Sequence, residues 1–189
     1  MASLLRAWPL LMAVLAGSLQ IRAIDGTILR PLDPSGVASV LVFVATDCPV
    51  SNAYAPEIQR ICGAYEAHGI ACALIYEDAS VTESDVRKHL DEYRYGGTPA
   101  AIDRDGALAA RVRASVTPEA VVVDRHGAIR YRGRIDNLYA ALGRPRQVIT
   151  AHDLQDALNA IVAGKAVVAP ETQAIGCYIL PSDMRRKPS

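Results

Sequence analysis

Thiol chemistry is the first possibility that this sequence raises, because its 189 residues include four cysteines, Cys48, Cys62, Cys72 and Cys177. Cys48 differs from the others because a proline, Pro49, and then an amphipathic stretch follow it directly. The thiolate form of cysteine is the nucleophile, and the first-turn amides and positive dipole end of a helix lower the pKa of a thiol. We therefore predict that Cys48 is an exposed, reactive thiolate at the start of a helix.

Two elements must hold Cys48 in this position. Residues 37–44 form a predicted strand, and the uninterrupted apolar run within it is typical of a strand covered on both faces. After Cys48, apolar residues recur at helical spacing as far as a predicted helix end near Gly69, and they are Tyr54, Ile58, Ile61, Cys62 and Tyr65. Cys48 thus lies where the pattern changes from strand to helix.

The remaining chain alternates strands and helices, which indicates an α/β fold. A second strand is predicted at 70–76, and a helix at 80–93 opens with the capping-box residues Ser80 and Glu83. A short strand at 100–102, a helical turn at 108–112, a hairpin of 120–123 with 128–132, and a final helix at 150–163 follow. Residues 166–189 form a tail that carries Cys177.

These motifs resemble the active site of the thioredoxin superfamily. Ser51 stands where the Cys-x-x-Cys motif of that family has its second cysteine, and Pro56 occupies the position of its helix-kinking proline. Thr117 and Pro118 resemble the segment that places a cis-proline beside the reactive cysteine. The long interval between Cys48 and Pro118 is similar to that of the exported TlpA-like and redoxin (alkyl hydroperoxide reductase and thiol-specific antioxidant) branch, which inserts an extra strand and helix.

The resemblance implies a thioredoxin-like fold, in which a central mixed sheet is flanked by helices on both faces, with a strand-helix insertion and a C-terminal tail. We expect residues 1–23 to be a signal peptide, 24–165 the thioredoxin-like domain and 166–189 the tail. The signal peptide is predicted from an early positive charge at Arg6 and an apolar run too short to span a bilayer. Its cleavage point stays open between residues 16–18 and a cut after Ala23.

A second thiol is required because Ser51 cannot resolve a mixed disulfide formed at Cys48. Either Cys177 or an external thiol could do so, and the extended residues after Gly164 could span ~40 Å to reach Cys48. Cys177 could equally lie under the tail or bond to another chain. Cys62 and Cys72 are predicted to be core thiols, with a disulfide between them as the less favoured alternative.

Other polar residues flank the predicted site. For Ser51 we favour a hydrogen bond from its hydroxyl to the first helical turn, with a bond to the thiolate as the alternative. Glu119 and Asp47 could accept a proton from an attacking thiol, although solvated carboxylates are the preferred interpretation. Arg134 could stabilise the thiolate or form a salt bridge with Asp136 or another acid.

Composition limits the partners. The 20 basic and 20 acidic residues are interleaved and give a formal net charge of zero, which does not favour nucleic acid or an anionic bilayer as a partner. No segment after the signal peptide is long and apolar enough for stable membrane insertion. The four histidines show no ligand spacing with a cysteine, so neither a metal nor a cofactor is predicted.

The leading hypothesis is an exported thiol-disulfide oxidoreductase, periplasmic or extracellular, acting on protein or small-molecule disulfides and thiols. A thiol peroxidase is the first alternative, although peroxiredoxins carry a threonine and a proline where this chain has Ala45 and Leu41. A copper-handling protein of the Sco type is a second alternative, weakened by Asn52 at the position of the second cysteine ligand. A partner-binding module with an idle cysteine is the third.

Overall fold

The computed structural model describes residues 19–180. Its helices and strands, in chain order, are β1 (Ile21–Arg22), β2 (Ile28–Leu29), β3 (Ala38–Val44), α1 (Pro49–Ala53), α2 (Ala55–Glu66), β4 (Ile70–Tyr76), α3 (Glu83–Glu92), β5 (Ala100–Ile102), α4 (Ala107–Val112), β6 (Val116–Thr117), β7 (Glu119–Asp124), β8 (Ile129–Gly133), β9 (Tyr139–Ala141), β10 (Arg144–Pro145), α5 (Asp153–Val162) and β11 (Cys177–Tyr178).

A five-stranded mixed sheet in the order β5-β4-β3-β7-β8 forms the centre of the molecule. Strand β3 pairs parallel with β4 and antiparallel with β7, and β4 pairs parallel with β5. Strand β8 returns antiparallel beside β7 through the predicted hairpin. Because β3 lies in the middle, the loop after Val44 leaves the sheet at its centre.

Helices cover both faces of the sheet, and the alternating side chains of β3 divide between two apolar clusters. Val40, Val42 and Val44 pack in one cluster with residues of α2, α3 and α5, whereas Leu41 and Phe43 pack in the other with α4. All seven residues of β3 are buried. Burial on both sides therefore explains the continuous apolar run of this strand, as the sequence indicated.

Two predicted helices have different bounds in the structure. The helix after Cys48 is divided at Tyr54 into α1 and α2, because Pro56 near the start of α2 has no amide hydrogen to continue the ladder from α1. Helix α3 begins at Glu83, and its capping box joins Thr82 to Asp85 instead of Ser80 to Glu83. The hydroxyl of Ser80 donates to Asp78 in the preceding turn.

Residues 1–18 of the predicted signal peptide lie outside the described part of the chain. The last residues of that segment are described: Ile21–Arg22 pairs with Ile28–Leu29, and Ala23 is buried in a bridge with Ala101. A cut after Ala23 would remove β1, whereas a cut within 16–18 would retain it. Among residues 19–180, no helix has the length and apolar character needed to cross a bilayer.

Candidate redox site

Cys48 lies at the start of α1, four residues beyond the end of the central strand β3. It is the N-cap residue, with an extended backbone, and its carbonyl accepts a hydrogen bond from the Asn52 amide at 3.0 Å. Pro49 is exposed at the first helical position, where its missing amide hydrogen costs no hydrogen bond. The Cys48 side chain therefore lies among amides that the helix itself does not use.

A segment from far along the chain meets Cys48 at this end of the sheet. The Thr117–Pro118 peptide bond is cis, and the Cys48 thiol donates to the Thr117 carbonyl with the sulfur 3.1 Å from the oxygen. Strand β6 ends at Thr117 and β7 begins at Glu119. Because β7 pairs with β3, the cis peptide is held beside the loop that leads to Cys48.

Cys177 contacts Cys48 directly. Strand β11 pairs antiparallel with β6, so that Cys177 is opposite Thr117, and the Cys177 thiol donates to the Cys48 sulfur at a sulfur–sulfur distance of 2.6 Å. A disulfide has its sulfur atoms about 2.05 Å apart, so an approach of about 0.6 Å separates this contact from a bond. The sequence predicted that the tail lies outside the minimal fold, but in the structure the tail contributes Cys177 to the site.

The prediction that Cys48 is exposed is wrong. Only 1 % of its surface is accessible, because β11 and the Cys177 side chain cover the sulfur. Cys48 belongs to the main apolar cluster, and the partly exposed Cys177 of the tail lies against its sulfur. Movement of the tail would remove the Cys177 contact from the Cys48 sulfur.

The two thiols differ in acidity. Burial opposes ionisation of Cys48, but the Cys177 thiol, the Ser51 amide and the Thr117 and Ser51 side chains outweigh it and lower the Cys48 pKa. Burial, the hydrogen bond to Cys48, the Cys48 charge and the nearby Asp47 together raise the pKa of Cys177 to about 12. Cys48 is therefore the thiol of the pair that ionises first.

Ser51 and Thr117 have buried hydroxyls, and neither Ser51 Oγ nor Thr117 Oγ1 has a hydrogen-bond partner. The favoured prediction that the Ser51 hydroxyl bonds to the first helical turn is therefore wrong, and this hydroxyl lowers the Cys48 pKa because it is free to donate to the thiolate once Cys48 ionises. A thiolate can accept hydrogen bonds that a thiol receives only weakly, so two idle donors beside Cys48 favour its charged form.

Among the charged residues that flank the site, Arg134 forms the predicted salt bridge with another acid, whereas Glu119 differs from its prediction. Arg134 forms a bidentate ion pair with Asp153, at 2.7 and 3.0 Å, and not with Asp136 or with the thiolate. Glu119 is buried rather than solvated, and its carboxylate accepts from the Ser115 amide at 2.7 Å. Glu119 therefore holds the chain that precedes the cis peptide, and only Asp47 is the exposed carboxylate expected.

Cys62 and Cys72 form a disulfide, which corrects the prediction of two core thiols. Cys62 projects from α2 and Cys72 from β4, at the level of Val40 in the central strand. The sequence showed one cysteine on a helix face and one in a strand, but it did not show that these two elements are neighbours in space. This bond lies four strand positions away from the sheet end at Cys48.

One group of side chains in residues 19–180 has the spacing of metal ligands: Glu57, Asp136 and His152 bring ligand atoms within 4.8 Å of one another. Both carboxylate oxygens of Glu57 accept from Arg60, and Asp136 accepts from the Tyr54 hydroxyl at 2.6 Å. These contacts account for both acids, and the group carries no part of the chemistry at Cys48.

Two features of the site were not predicted from the sequence. The pairing of β11 with β6 depends on only four residues, which is too short for a recognisable strand pattern. Gly176, directly before Cys177, lies against the Thr117 carbonyl and allows the close approach of the two segments. A glycine beside a cysteine in the tail was the available signal, but a single glycine does not indicate what it contacts.

A cysteine after the central strand, beside a cis-proline on a mixed sheet with helices on both faces, is typical of a thioredoxin-like protein. The chain belongs to the AhpC/TSA family, whose sequence model matches residues 17–132. The predicted superfamily, branch and fold class are thereby confirmed. No curated protein matches the chain significantly.

Solved structures share this fold. An uncharacterized conserved protein from Geobacillus kaustophilus has a TM-score of 0.75 and 24% identity, over 91% of both chains. A hypothetical protein from Sinorhizobium meliloti has a TM-score of 0.72 and 24% identity, over 85% of this chain and 89% of that one. A secreted Mycobacterium tuberculosis disulfide oxidoreductase homologous to Escherichia coli DsbE has a TM-score of 0.53 and 19% identity, over 78% and 96%.

Proposed function

We propose that this protein is an exported thiol-disulfide oxidoreductase in which Cys48 is the nucleophile and Cys177 the resolving thiol. The observation that carries the proposal is the 2.6 Å contact between the two sulfur atoms beside the cis Thr117–Pro118 bond. The fold, the family and the description of the M. tuberculosis protein as a disulfide oxidoreductase support it.

The reaction proceeds in two exchange steps. The Cys48 thiolate attacks one sulfur of a partner disulfide, forms a mixed disulfide and releases the other partner sulfur as a thiolate. Cys177 then loses its proton and attacks the Cys48 sulfur, which releases the second partner thiolate and leaves a Cys48–Cys177 disulfide. The partner gains two electrons and this chain loses two, and the reverse sequence would oxidise a partner dithiol.

The second step becomes easier once the first has occurred. The hydrogen bond to Cys48 and the Cys48 charge are two of the causes that raise the Cys177 pKa, and the charge disappears when Cys48 enters a mixed disulfide. Cys177 would then ionise more readily than in the reduced protein. If Cys177 is slow, an external thiol could resolve the same intermediate.

Export is part of the proposal and is supported by the Cys62–Cys72 disulfide, because such bonds persist mainly in oxidising compartments. The predicted signal peptide, the domain at 24–165 and the tail at 166–189 belong to the same proposal. Substrates would be protein or small-molecule disulfides and thiols that reach Cys48 when the tail moves away.

The test compares the wild type with the Cys48→Ser and Cys177→Ser variants, each given a small aromatic disulfide and then analysed by non-reducing mass spectrometry. We expect the wild type to form the Cys48–Cys177 disulfide, the Cys177→Ser variant to retain a mixed disulfide at Cys48, and the Cys48→Ser variant to be inactive. Equal activity of wild type and Cys48→Ser would refute the proposal. Hydrogen peroxide consumption, measured on the same proteins, tests the peroxidase alternative.

Copper handling and simple partner binding are tested by a separate measurement. Asn52 donates to the Thr46 carbonyl and accepts from His89, contacts that fix the loop before Cys48 and provide no second sulfur ligand. Copper(I) titration with a thiol count distinguishes these two functions from disulfide exchange, because a redox protein would lose two thiols on oxidation whether or not copper is present.

A further inference from the structure

The described part of the tail, residues 166–180, is attached at two separate places. Its first attachment is to β8, where Arg132 donates to the Pro170 carbonyl and accepts from the Thr172 amide, at 2.9 and 3.0 Å. Arg132 also forms an ion pair with Glu171, and the Thr172 hydroxyl bonds to Tyr131. These contacts fix residues 170–172 at β8, at a place that is separate from Cys48.

The second attachment covers Cys48 and is much smaller. It consists of the pairing of β11 with β6 and of a hydrogen bond from the Ile179 amide to the Ser115 carbonyl at 2.9 Å. Tyr178 is 87 % exposed, whereas Ile179 is partly buried against the second apolar cluster, so the side chains that follow Cys177 add only a little to this attachment. The second attachment can therefore open while the first one remains in place.

Space is very limited where the tail crosses the cis peptide. A Cβ atom built on Gly176 would lie 2.0 Å from the Thr117 carbonyl oxygen and 3.1 Å from the Pro118 nitrogen. Both atoms belong to the backbone, and a flexible side chain cannot move aside to relieve the clash. Gly176 does not have a positive φ, so the requirement for glycine arises from space and not from backbone conformation.

A partner that reacts with Cys48 must displace β11, because Cys177 in this strand lies against the Cys48 sulfur. We propose that the partner presents its reactive cysteine on an extended segment that takes the place of β11 on β6, with a glycine directly before that cysteine. This inference rests on the proposed function and specifies its substrate. Gly176-Cys177 is, on this view, an internal copy of the sequence that the site accepts.

The reaction of such a segment balances as disulfide exchange. The Cys48 thiolate attacks the cysteine sulfur of the segment, the bond between that sulfur and its disulfide partner breaks, and the partner leaves as a thiolate. A peptide that carries an aromatic thiolate as leaving group reports this step directly, because a thiol of low pKa leaves fastest.

The test uses the full-length Cys177→Ser variant and two peptides that copy residues 174–179, Ala-Ile-Gly-Cys-Tyr-Ile and Ala-Ile-Ala-Cys-Tyr-Ile. Each peptide carries its cysteine as a mixed disulfide with thionitrobenzoate, and the released thiolate is followed by absorbance. The tail competes equally with both peptides, so the ratio of their rates reports the glycine alone. The symmetric aromatic disulfide without a peptide is the control for the reactivity of Cys48.

We expect the glycine peptide to react about tenfold faster, because a Cβ placed against a fixed backbone forces the bound segment to shift, and this ratio corresponds to about 1.4 kcal/mol. A ratio of about three or more supports the inference, and a smaller ratio overturns it. Reaction with the control disulfide but with neither peptide also overturns the inference and leaves the proposed function standing. Failure to react with any disulfide refutes both.

The same contact can be tested from inside the protein. Gly176→Ala should loosen β11 and increase the rate of Cys48 alkylation by iodoacetamide several-fold relative to wild type. Gly96→Ala is the matched control, because a Cβ at Gly96 meets no atom within 4 Å. If the Gly176→Ala variant has a native circular dichroism spectrum and the same alkylation rate as wild type, the inference is overturned. If this variant does not fold, the ratio of the two peptide rates alone tests the inference.

Discussion

Cys48 and Cys177 touch one another, but their hydrogen bonds have opposite effects on the two thiols. Cys48 receives a hydrogen bond from Cys177 and is surrounded by further donors, which lower its pKa, whereas Cys177 donates and has its pKa raised to about 12. The sulfur with the lower pKa is both the more ionised nucleophile and the better leaving group. This asymmetry assigns attack to Cys48 and resolution to Cys177 under our proposal.

The Ser51 hydroxyl provides a test of this asymmetry at the level of a single residue. Ser51→Ala removes a buried donor that has no other partner, so the Cys48 pKa should rise. The thiolate fraction below that pKa then falls, and alkylation of Cys48 should become slower at neutral pH but equal at high pH. The measurement is the pH profile of iodoacetamide modification in the Cys177→Ser background.

Ser84→Ala is the control for the Ser51 prediction, because Ser84 is an exposed residue of α3. Its pH profile should coincide with that of the parent protein. An unchanged profile for Ser51→Ala would show that the hydroxyl does not contribute to the acidity of Cys48.

At the scale of elements, the Thr172 side chain adds hydrogen bonds to the backbone pairing and ion pair that hold the tail to the edge strand β8. Its hydroxyl bonds to the Tyr131 hydroxyl at 2.7 Å and accepts from the Arg134 amide at 3.1 Å. Gly133 allows this approach, because a Cβ there would lie 2.2 Å from the Thr172 hydroxyl oxygen. The edge of the sheet is thereby covered, and the residues that lead to β11 are positioned.

Thr172→Val keeps the shape of this side chain and removes its hydrogen bonds. The lost bond is worth about 1 kcal/mol, so the population in which the tail is detached from β8, and with it the hydrogen-exchange rate of the amide at position 172, should rise about fivefold. Val168→Ala is the control, because Val168 is 99 % exposed in the same tail. If Thr172→Val and Val168→Ala gave the same rate, the anchoring role of Thr172 would be excluded.

Helix α3, which belongs to the insertion, is connected to α1 by His89. The buried His89 ring bonds to the Tyr76 hydroxyl at 2.8 Å and to the Asn52 amide oxygen at 2.9 Å, and Asn52 donates to Thr46 before Cys48. Burial lowers the His89 pKa, and the nearby Glu92 only partly opposes this. The neutral ring thus connects the insertion to the loop that carries the reactive cysteine.

Protonation of His89 should weaken the fold at low pH. A histidine whose pKa is lower in the folded chain binds more protons when unfolded, so its stabilising contribution is complete above about pH 6.5 and is lost as the pH falls below that value. The free energy of unfolding should therefore fall more steeply between pH 7 and pH 5 for wild type than for His89→Gln, which retains a donor and an acceptor. Parallel curves from denaturant unfolding would contradict this prediction.

At the scale of the whole molecule, two kinds of sulfur contact serve different purposes. The Cys62–Cys72 disulfide joins α2 to β4 within the body of the domain, whereas Cys48 and Cys177 join the domain to its tail. Cys62 and Cys72 are partly buried against the main core, whereas Cys48 lies under β11, the strand of two residues that contains Cys177. We therefore assign stability to the first pair and exchange chemistry to the second.

Removal of the first pair tests that division. The Cys62→Ala/Cys72→Ala variant should lose about 2–3 kcal/mol of unfolding free energy, because the bond closes a short loop between residues separated by 10 positions. This corresponds to a fall in Tm of roughly 5–10 °C for a domain of this size. Thermal unfolding in the Cys48→Ser/Cys177→Ser background isolates the effect, and dithiothreitol should lower the Tm of that background but not of the variant.

Disulfide exchange at Cys48 provides the second measurement on the Cys62→Ala/Cys72→Ala variant. Its rate with a small aromatic disulfide should stay within about twofold of wild type at a temperature where both are folded, since surface and distant changes usually act independently. A large loss of exchange would place Cys62 and Cys72 in the reaction instead.

Local pattern was sufficient to predict the strand before Cys48, the helix after it and the α/β class, and the resemblance to the thioredoxin superfamily indicated the distant Thr117–Pro118 segment. These features depend on residues that are close in sequence, such as the apolar run of β3 and the proline after Cys48. The resemblance indicated a helix-kinking proline at Pro56, and the helix is divided beside it at Tyr54, whereas the capping box at Thr82 was not predicted correctly because more than one neighbouring residue could cap α3.

The sequence by itself determined that Cys48 would meet a helix start and that a second thiol existed far away in the tail. Only the tertiary structure decided that Cys177 covers Cys48, that Cys62 bonds to Cys72 and that Arg134 pairs with Asp153. Each of these contacts joins residues on different elements, so each depends on how helices and strands pack. Periodicity reports which face of an element is buried, but it carries no information about which distant side chain lies against that face.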